Sequence, residues 1–205
     1  MKKEKPRKKL VWVILAGIFG LAFIGLLIFA IYDDIASEKS IVRLGDYSNL
    51  SYTATDRDTA GTQVLESIVE KTRFGALVEQ AGEEYAKAAM NVYEENAKYL
   101  GISLEEYLKL YFGSEVENFR KNVRRTSLLV AKEEAVTDFI ADKENIQLSE
   151  EKYEDLLTRY MDSTGYTDRE QFLIDYDEKV LRVQMRREIT VDYLLERAKG
   201  PALTD

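Results

Sequence analysis

The 37 acidic side chains of this 205-residue chain include five adjacent pairs: Glu83-Glu84, Glu94-Glu95, Glu105-Glu106, Glu133-Glu134 and Glu150-Glu151. Two carboxylates do general acid–base work only when one is buried and its pKa is driven away from that of its neighbour. These pairs stand among Lys and Arg at helical spacing, which is the pattern of a solvated helix face. Asp56-x-Asp58 and Asp175-x-Asp177 lack the further acids and the glycine of a calcium loop. The chain contains no His and no Cys. That removes the commonest general base, the thiolate nucleophile, His- or Cys-ligated metal, disulfides and cysteine lipidation. Ser and Thr have no His to activate them, so a Ser–Lys arrangement is the one nucleophile left open. No G-x-x-x-x-G-K phosphate loop occurs. The expectation is a non-enzyme with no cofactor and no metal.

Aromatic side chains are the other chemical feature, with 13 Tyr and 8 Phe. Glu106–Phe112, EYLKLYF, places Tyr107, Leu108, Leu110, Tyr111 and Phe112 within two helical turns. A second group comprises Tyr160, Met161, Tyr166, Phe172, Leu173, Ile174 and Tyr176. These groups read either as ordinary core at the tips of helical hairpins or as partly exposed, adaptable contacts for apolar polypeptide segments.

Helices must position them. The only prolines are Pro6 and Pro201, so nothing between them breaks a helix by ring closure. From about Thr59 the apolar residues recur at three- and four-residue spacing: Val64, Leu65, Ile68 and Val69, then Leu77 to Ala97 in a helix over 76–100. Ser103-Leu104-Glu105-Glu106, Ser114-Glu115-Val116-Glu117 and Thr167-Asp168-Arg169-Glu170 each read as a capping box, next to Gly101, Gly113 and Gly165. The helix opened by Ser114 is expected to run to about Lys143. Ser149 caps another that ends before Gly165. A short helix over about 168–175 leads to a last one over 177–198, whose apolar residues, Val180 to Ala198, do not fit one stripe. Ser103–Tyr107 and Ser149–Tyr153 are similar, as in two related helical hairpins rather than a solenoid. Residues 33–58 are the least helical. IVRLGDYSNLSY reads as a short extended segment with a turn near Gly45-Asp46 or Ser48-Asn49, and Asn49-Leu50-Ser51 fits a glycosylation sequon.

Residues 10–32 hold 23 consecutive uncharged residues. A helix of that length spans about 35 Å, enough for a hydrocarbon core of about 30 Å. Leu10 and Trp12 stand at one end and Tyr32 at the other, with Phe23 and Phe29 between. Ala16 and Gly20, with Gly17 nearby, offer a small-residue face on which two copies could pair as a homodimer. Residues 1–9 carry net charge +5, and Asp33-Asp34 follows the span. The positive-inside rule then puts the N-terminus in the cytoplasm and residues 33–205 outside, as a single-pass protein of the cell membrane. The run is longer than a signal-peptide h-region and no A-x-A-like site follows, so an uncleaved signal anchor is expected. Residues 33–205 carry net charge −13, which argues against a nucleic-acid partner.

Four stretches resemble the C-terminal chaperone domain of bacterial trigger factor: LGDYSNLSY (44–52), VLESIVEKTRFGALVEQ (64–80), residues 100–157 from Leu-Gly-Ile-Ser-Leu-Glu-Glu-Tyr to the Asn-Ile-Gln-Leu-Ser-Glu-Glu turn, and 167–196. Similar helical modules occur in the parvulin-linked foldases of the bacterial envelope. Two parts of that family are missing. No Gly-Phe-Arg-x-Gly ribosome-binding loop occurs, and the chain passes from Tyr52 directly to helix, which leaves no room for the FKBP-type prolyl isomerase domain. The proline usual near Phe74-Gly75-Ala76 is also absent.

The uncharged run and the resemblance together give the expected all-α fold: an N-terminal transmembrane helix, from the run 10–32, followed by the elongated helical chaperone-like domain with helical hairpin arms that the resemblance implies. The expected division is a basic cytoplasmic tail (1–9), the membrane helix (10–32), a linker with a short extended segment (33–58), the helical domain (59–198) and a tail (199–205). The function it implies is a membrane-anchored, ATP-independent holdase for unfolded or newly exported polypeptides, with a role in protein folding and transport. An all-α adaptor for one folded partner is the alternative, and a prolyl isomerase a more distant one. Under the holdase reading Tyr107, Leu108, Tyr111, Phe112, Tyr160, Met161, Phe172 and Ile174 contact clients. The expected partners are unfolded chains and the lipid bilayer.

Overall fold

The computed structural model describes residues 40–204. The expected membrane span 10–32, with Leu10, Trp12, Gly17, Gly20, Phe23, Phe29 and Tyr32, lies outside them. Among the described residues no helix is long and apolar enough to cross a membrane.

Within those residues the chain is mostly helical. The elements are β1 (Ile41–Arg43), α1 (Arg57–Val69), β2 (Arg73–Phe74), α2 (Ala76–Leu100), α3 (Leu104–Phe112), α4 (Val116–Lys143), α5 (Glu150–Thr164), α6 (Arg169–Asp175) and α7 (Glu178–Leu195). The two strands pair antiparallel, with Ile41 opposite Phe74 and Arg43 opposite Arg73. β1 falls in the segment expected to be extended; β2, in a stretch with helical flanks, carries no periodic signal of its own. The described residues divide into two compact units, residues 78–131 and residues 40–77 with 132–204, and the divisions fall inside α2 and α4.

Local chemistry sets most boundaries. The Ser103 hydroxyl accepts from Glu106 N at 3.1 Å while the Glu106 carboxylate accepts from Ser103 N at 3.0 Å, a complete capping box. Those hydrogen bonds hold the Glu106 carboxyl below its ordinary pKa. Ser149 caps α5 in the same way, through Lys152 N. Gly113 ends α3 at φ 61°, a left-handed conformation that glycine adopts without a Cβ clash.

Two expected boxes do not form. Ser114 N donates back to Leu108 O, so its backbone closes α3, and its hydroxyl donates to Glu115 O instead of capping α4. At α6 the cap is Asp168, whose carboxylate accepts from Glu170 N and Gln171 N; a carboxylate one residue closer displaces Thr167 from the role. Asp56 and Asp177 are also caps, of α1 and α7. This accounts for one acid of each Asp-x-Asp pair without a metal.

In the unit 78–131, α2 buries Val78, Tyr85, Ala86, Ala89, Met90, Tyr93 and Ala97. Gly82 lets α4 come close: a Cβ there would stand 2.9 Å from Leu128 Cα. In the other unit α7 packs against both α1 and α5. Its apolar residues therefore surround the helix, because it is covered from two sides. Leu50 is buried beside this core, and residues 199–204 run along 50–56, with Lys199 N to Leu50 O at 2.9 Å, Tyr52 N to Lys199 O at 3.0 Å and Thr204 N to Thr55 O at 2.8 Å.

Candidate functional site

At about 100° per residue, Tyr107, Tyr111, Leu108 and Phe112 occupy one arc of α3, and Leu110 falls outside it. The structure follows that geometry. Tyr107 and Leu108 are buried, Phe112 is half-buried, Tyr111 is 39% exposed and Leu110 is 71% exposed. Phe112 meets three rings, Tyr93 at 5.5 Å, Phe119 at 5.0 Å and Tyr107 at 6.1 Å between centroids, and Tyr93 also meets Phe119 at 4.9 Å. Edge-on and tilted pairs of this kind add about 0.5–1.5 kcal/mol each beyond the area they bury. Tyr107 and Leu108 are therefore part of the core of the unit 78–131, which differs from their expected partial exposure, whereas Phe112 is half-buried at the edge of the ring cluster. Burial raises the Tyr93 and Tyr107 phenols above the ordinary tyrosine pKa, so both stay neutral.

The open apolar surface of this unit is instead Leu110, Tyr111 and Tyr99, the last 68% exposed at the end of α2. Tyr99 was absent from the expected contact set, although its position about 200° around the helix from buried Ala97 marks it as outward.

The second aromatic group divides in the same way. Phe172 is buried with Tyr153, Leu156, Leu157, Leu181 and Met185, and Tyr160, Met161 and Tyr166 pack partly buried against that cluster. Phe172 stacks on Tyr176 at 4.4 Å and meets Tyr166 edge-on at 5.2 Å. The Tyr160 hydroxyl donates to Glu188 at 2.9 Å, and burial together with that carboxylate raises its pKa strongly. Tyr166 donates to Asp175 at 2.7 Å, which pushes its phenol up to about 12. Both hydroxyls are thus engaged within the fold. Ile174 alone is open, at 76% exposure, about 200° around α6 from Phe172.

One carboxylate pair departs from the solvated-face expectation. Burial, reinforced by Glu66 and Glu134, raises the Glu133 carboxyl to about 7. Glu134 and Asp138 both grip the buried Arg187 guanidinium, at 2.7 Å and 2.6 Å, and tie α4 to α7. Glu144 accepts from the Tyr47 and Tyr193 hydroxyls, each at 2.5 Å, and links the segment after β1 to α7. These groups join elements of one unit. Among the described residues no group of three or more acidic side chains is placed to hold a metal ion.

The arrangement suits apolar contact rather than covalent chemistry. The sequence pattern described as "Bacterial trigger factor protein (TF) C-terminus" matches residues 52–196. No curated protein matches the chain. The match spans well over half of the 205 residues and includes the seven helices of the described residues, and on that ground the chain belongs to the family of bacterial trigger factor C-terminal domains.

Proposed function

We propose that the chain is a membrane-tethered holdase that binds unfolded or newly exported polypeptides through apolar helical surfaces, without ATP and without covalent chemistry. Family membership supports a chaperone-like role. The observation that carries the finer reading is the exposure of Tyr99, Leu110 and Tyr111 within a 13-residue stretch of one unit. Side chains of this size left open contribute little to folding and offer area to a bound chain. Their contacts are geometrically tolerant, as clients of many sequences require. The uncharged segment 10–32 supports the tether, and the charge difference across residues 1–34 supports an outward-facing helical domain.

The test is aggregation suppression by the full chain in lipid nanodiscs, with several unrelated unfolded proteins at near-stoichiometric ratios. Suppression of all of them supports the holdase. Indifference to unfolded chains, with retention of one folded partner, makes the protein an adaptor instead. Protease added to spheroplasts tests topology: digestion of residues 33–205 with a protected N-terminal fragment is expected.

A further inference from the structure

We propose that the β1–β2 ribbon is a membrane-docking edge, whose Val42, Arg43, Lys71 and Arg73 rest on the anionic phospholipid headgroups of the bilayer that holds the tether. The inference depends on the reading of residues 10–32 as a span. Three observations within one unit carry it.

The first is local charge. The unit formed by 40–77 and 132–204 has 15 basic and 23 acidic residues, net −8. Residues 40–45 and 71–75, the two strands with their immediate flanks, hold three basic residues and no acid, with Glu70 and Asp46 at the next positions and Asp46 attracted to Lys71.

The second is an unfavourable pairing. Arg43 and Arg73 are direct cross-strand partners, both exposed, and among the described residues neither forms an ion pair with an acid. Like charges opposite each other weaken a ladder, and a two-stranded ribbon has little stability to spare. An anionic surface turns that repulsion into attraction. Val42, at the irregular position of β1 between Ile41 and Arg43, is 63% exposed. An open apolar side chain adjoining a cation in sequence suits the boundary between acyl chains and phosphates.

The third is reach. Ser40 lies eight residues after Tyr32, the last residue of the apolar run, so the ribbon cannot stand more than about 28 Å along the chain from the edge of the hydrocarbon core. The tether also raises the effective concentration of headgroups at the ribbon, so three cations suffice where a free protein would need more.

The chain has no cysteine, so Val42→Cys gives a unique site for an environment-sensitive fluorophore. The full-length labelled protein is reconstituted in neutral phosphatidylcholine vesicles, and in vesicles with about a third phosphatidylglycerol, each with the same small fraction of a lipid bearing a nitroxide on its headgroup. Quenching about twofold greater in the anionic vesicles is expected, lost in about 1 M salt and in the Arg43→Glu/Arg73→Glu variant. Equal quenching in the two lipids overturns the docking. A fluorophore that responds to added polyglutamate but not to phosphatidylglycerol also overturns it, in favour of an acidic polypeptide. Flotation with vesicles after a high-salt wash separates the two readings. A chain that floats but shows equal quenching is tethered and undocked, whereas a chain that does not float refutes the tether and the docking with it.

Discussion

Residues 78–131 and the unit formed by 40–77 with 132–204 are built from the same kind of helix around apolar cores, yet buried polar contacts take a larger part in the second. In the first, an aromatic mesh of Tyr93, Tyr107, Phe112 and Phe119 supplies the core. The ion pairs there, Lys98–Glu95, Arg120–Glu94 and Arg124–Glu83, are solvated, and exposed pairs add little stability. In the second, directional contacts lock the elements: Arg187 between Glu134 and Asp138, Glu144 between two tyrosine hydroxyls, Arg57 on Asp192, and the backbone lacing of 50–56 to 199–204. Among the described residues, three of the five large apolar side chains left open, Tyr99, Leu110 and Tyr111, lie in the first unit. A surface that must accept many clients gains from non-directional contacts. A unit that carries it gains from ones that admit a single geometry.

The largest test of this contrast removes Arg187. Arg187→Ala leaves the half-buried Glu134 and Asp138 without their cation, and a loss of about 3 kcal/mol in urea unfolding is expected, the lower end of the range for a buried pair because water reaches both carboxylates. A loss below about 1 kcal/mol would mean that the ionic lock is not what holds the second unit. Next, Phe112→Ala opens the aromatic mesh. The expected loss is about 2–3 kcal/mol, short of the full cost for a completely buried Phe because Phe112 is half-buried.

Glu133 offers a smaller effect, of opposite sign. Its carboxyl is raised to about 7 in the fold. Below the unfolded value, near 4.5, it is protonated in both states and costs nothing. As pH rises the unfolded chain ionises first, so the penalty grows up to about pH 7 and persists above it. Glu133→Gln should therefore stabilise the protein at about pH 8, by about 1–3 kcal/mol, and flatten the decline in stability between about pH 5 and pH 8. An unchanged thermal midpoint at the higher pH would show that Glu133 ionises freely. Last, Tyr99→Ser with Leu110→Ser should move stability by less than about 0.5 kcal/mol while weakening aggregation suppression. Unfolding would assign these residues to the core, and full retention of suppression would move client contact elsewhere.

Helix existence was legible wherever the signal was local. The spacing of Val64 to Val69, the Ser103 and Ser149 caps and the glycines 113 and 165 marked their elements, because capping and periodicity involve residues within one turn. The Ser114 and Thr167 boxes misled because a capping motif names candidates, and a neighbour with a better-placed acceptor, or a turn that has already used the backbone, decides among them. Tyr111 and Ile174 were grouped with residues of the opposite fate because richness in aromatics says nothing about direction. The helical wheel separated Leu110 and Ile174 from their buried neighbours once the helix ends were known.

By itself, then, the sequence determined the helices, the lack of His and Cys chemistry, the uncharged run at 10–32 and the family resemblance, since each of these is written in composition or in short-range order. Only the tertiary structure decided which aromatic residues are core, that Arg43 faces Arg73, that Arg187 takes Glu134 and Asp138 as partners, and that Glu133 is pushed toward neutral pH. Those depend on groups tens of residues apart meeting where water is thin, and there the cost of removing a charge from solvent, invisible in any one segment, governs which state the group adopts.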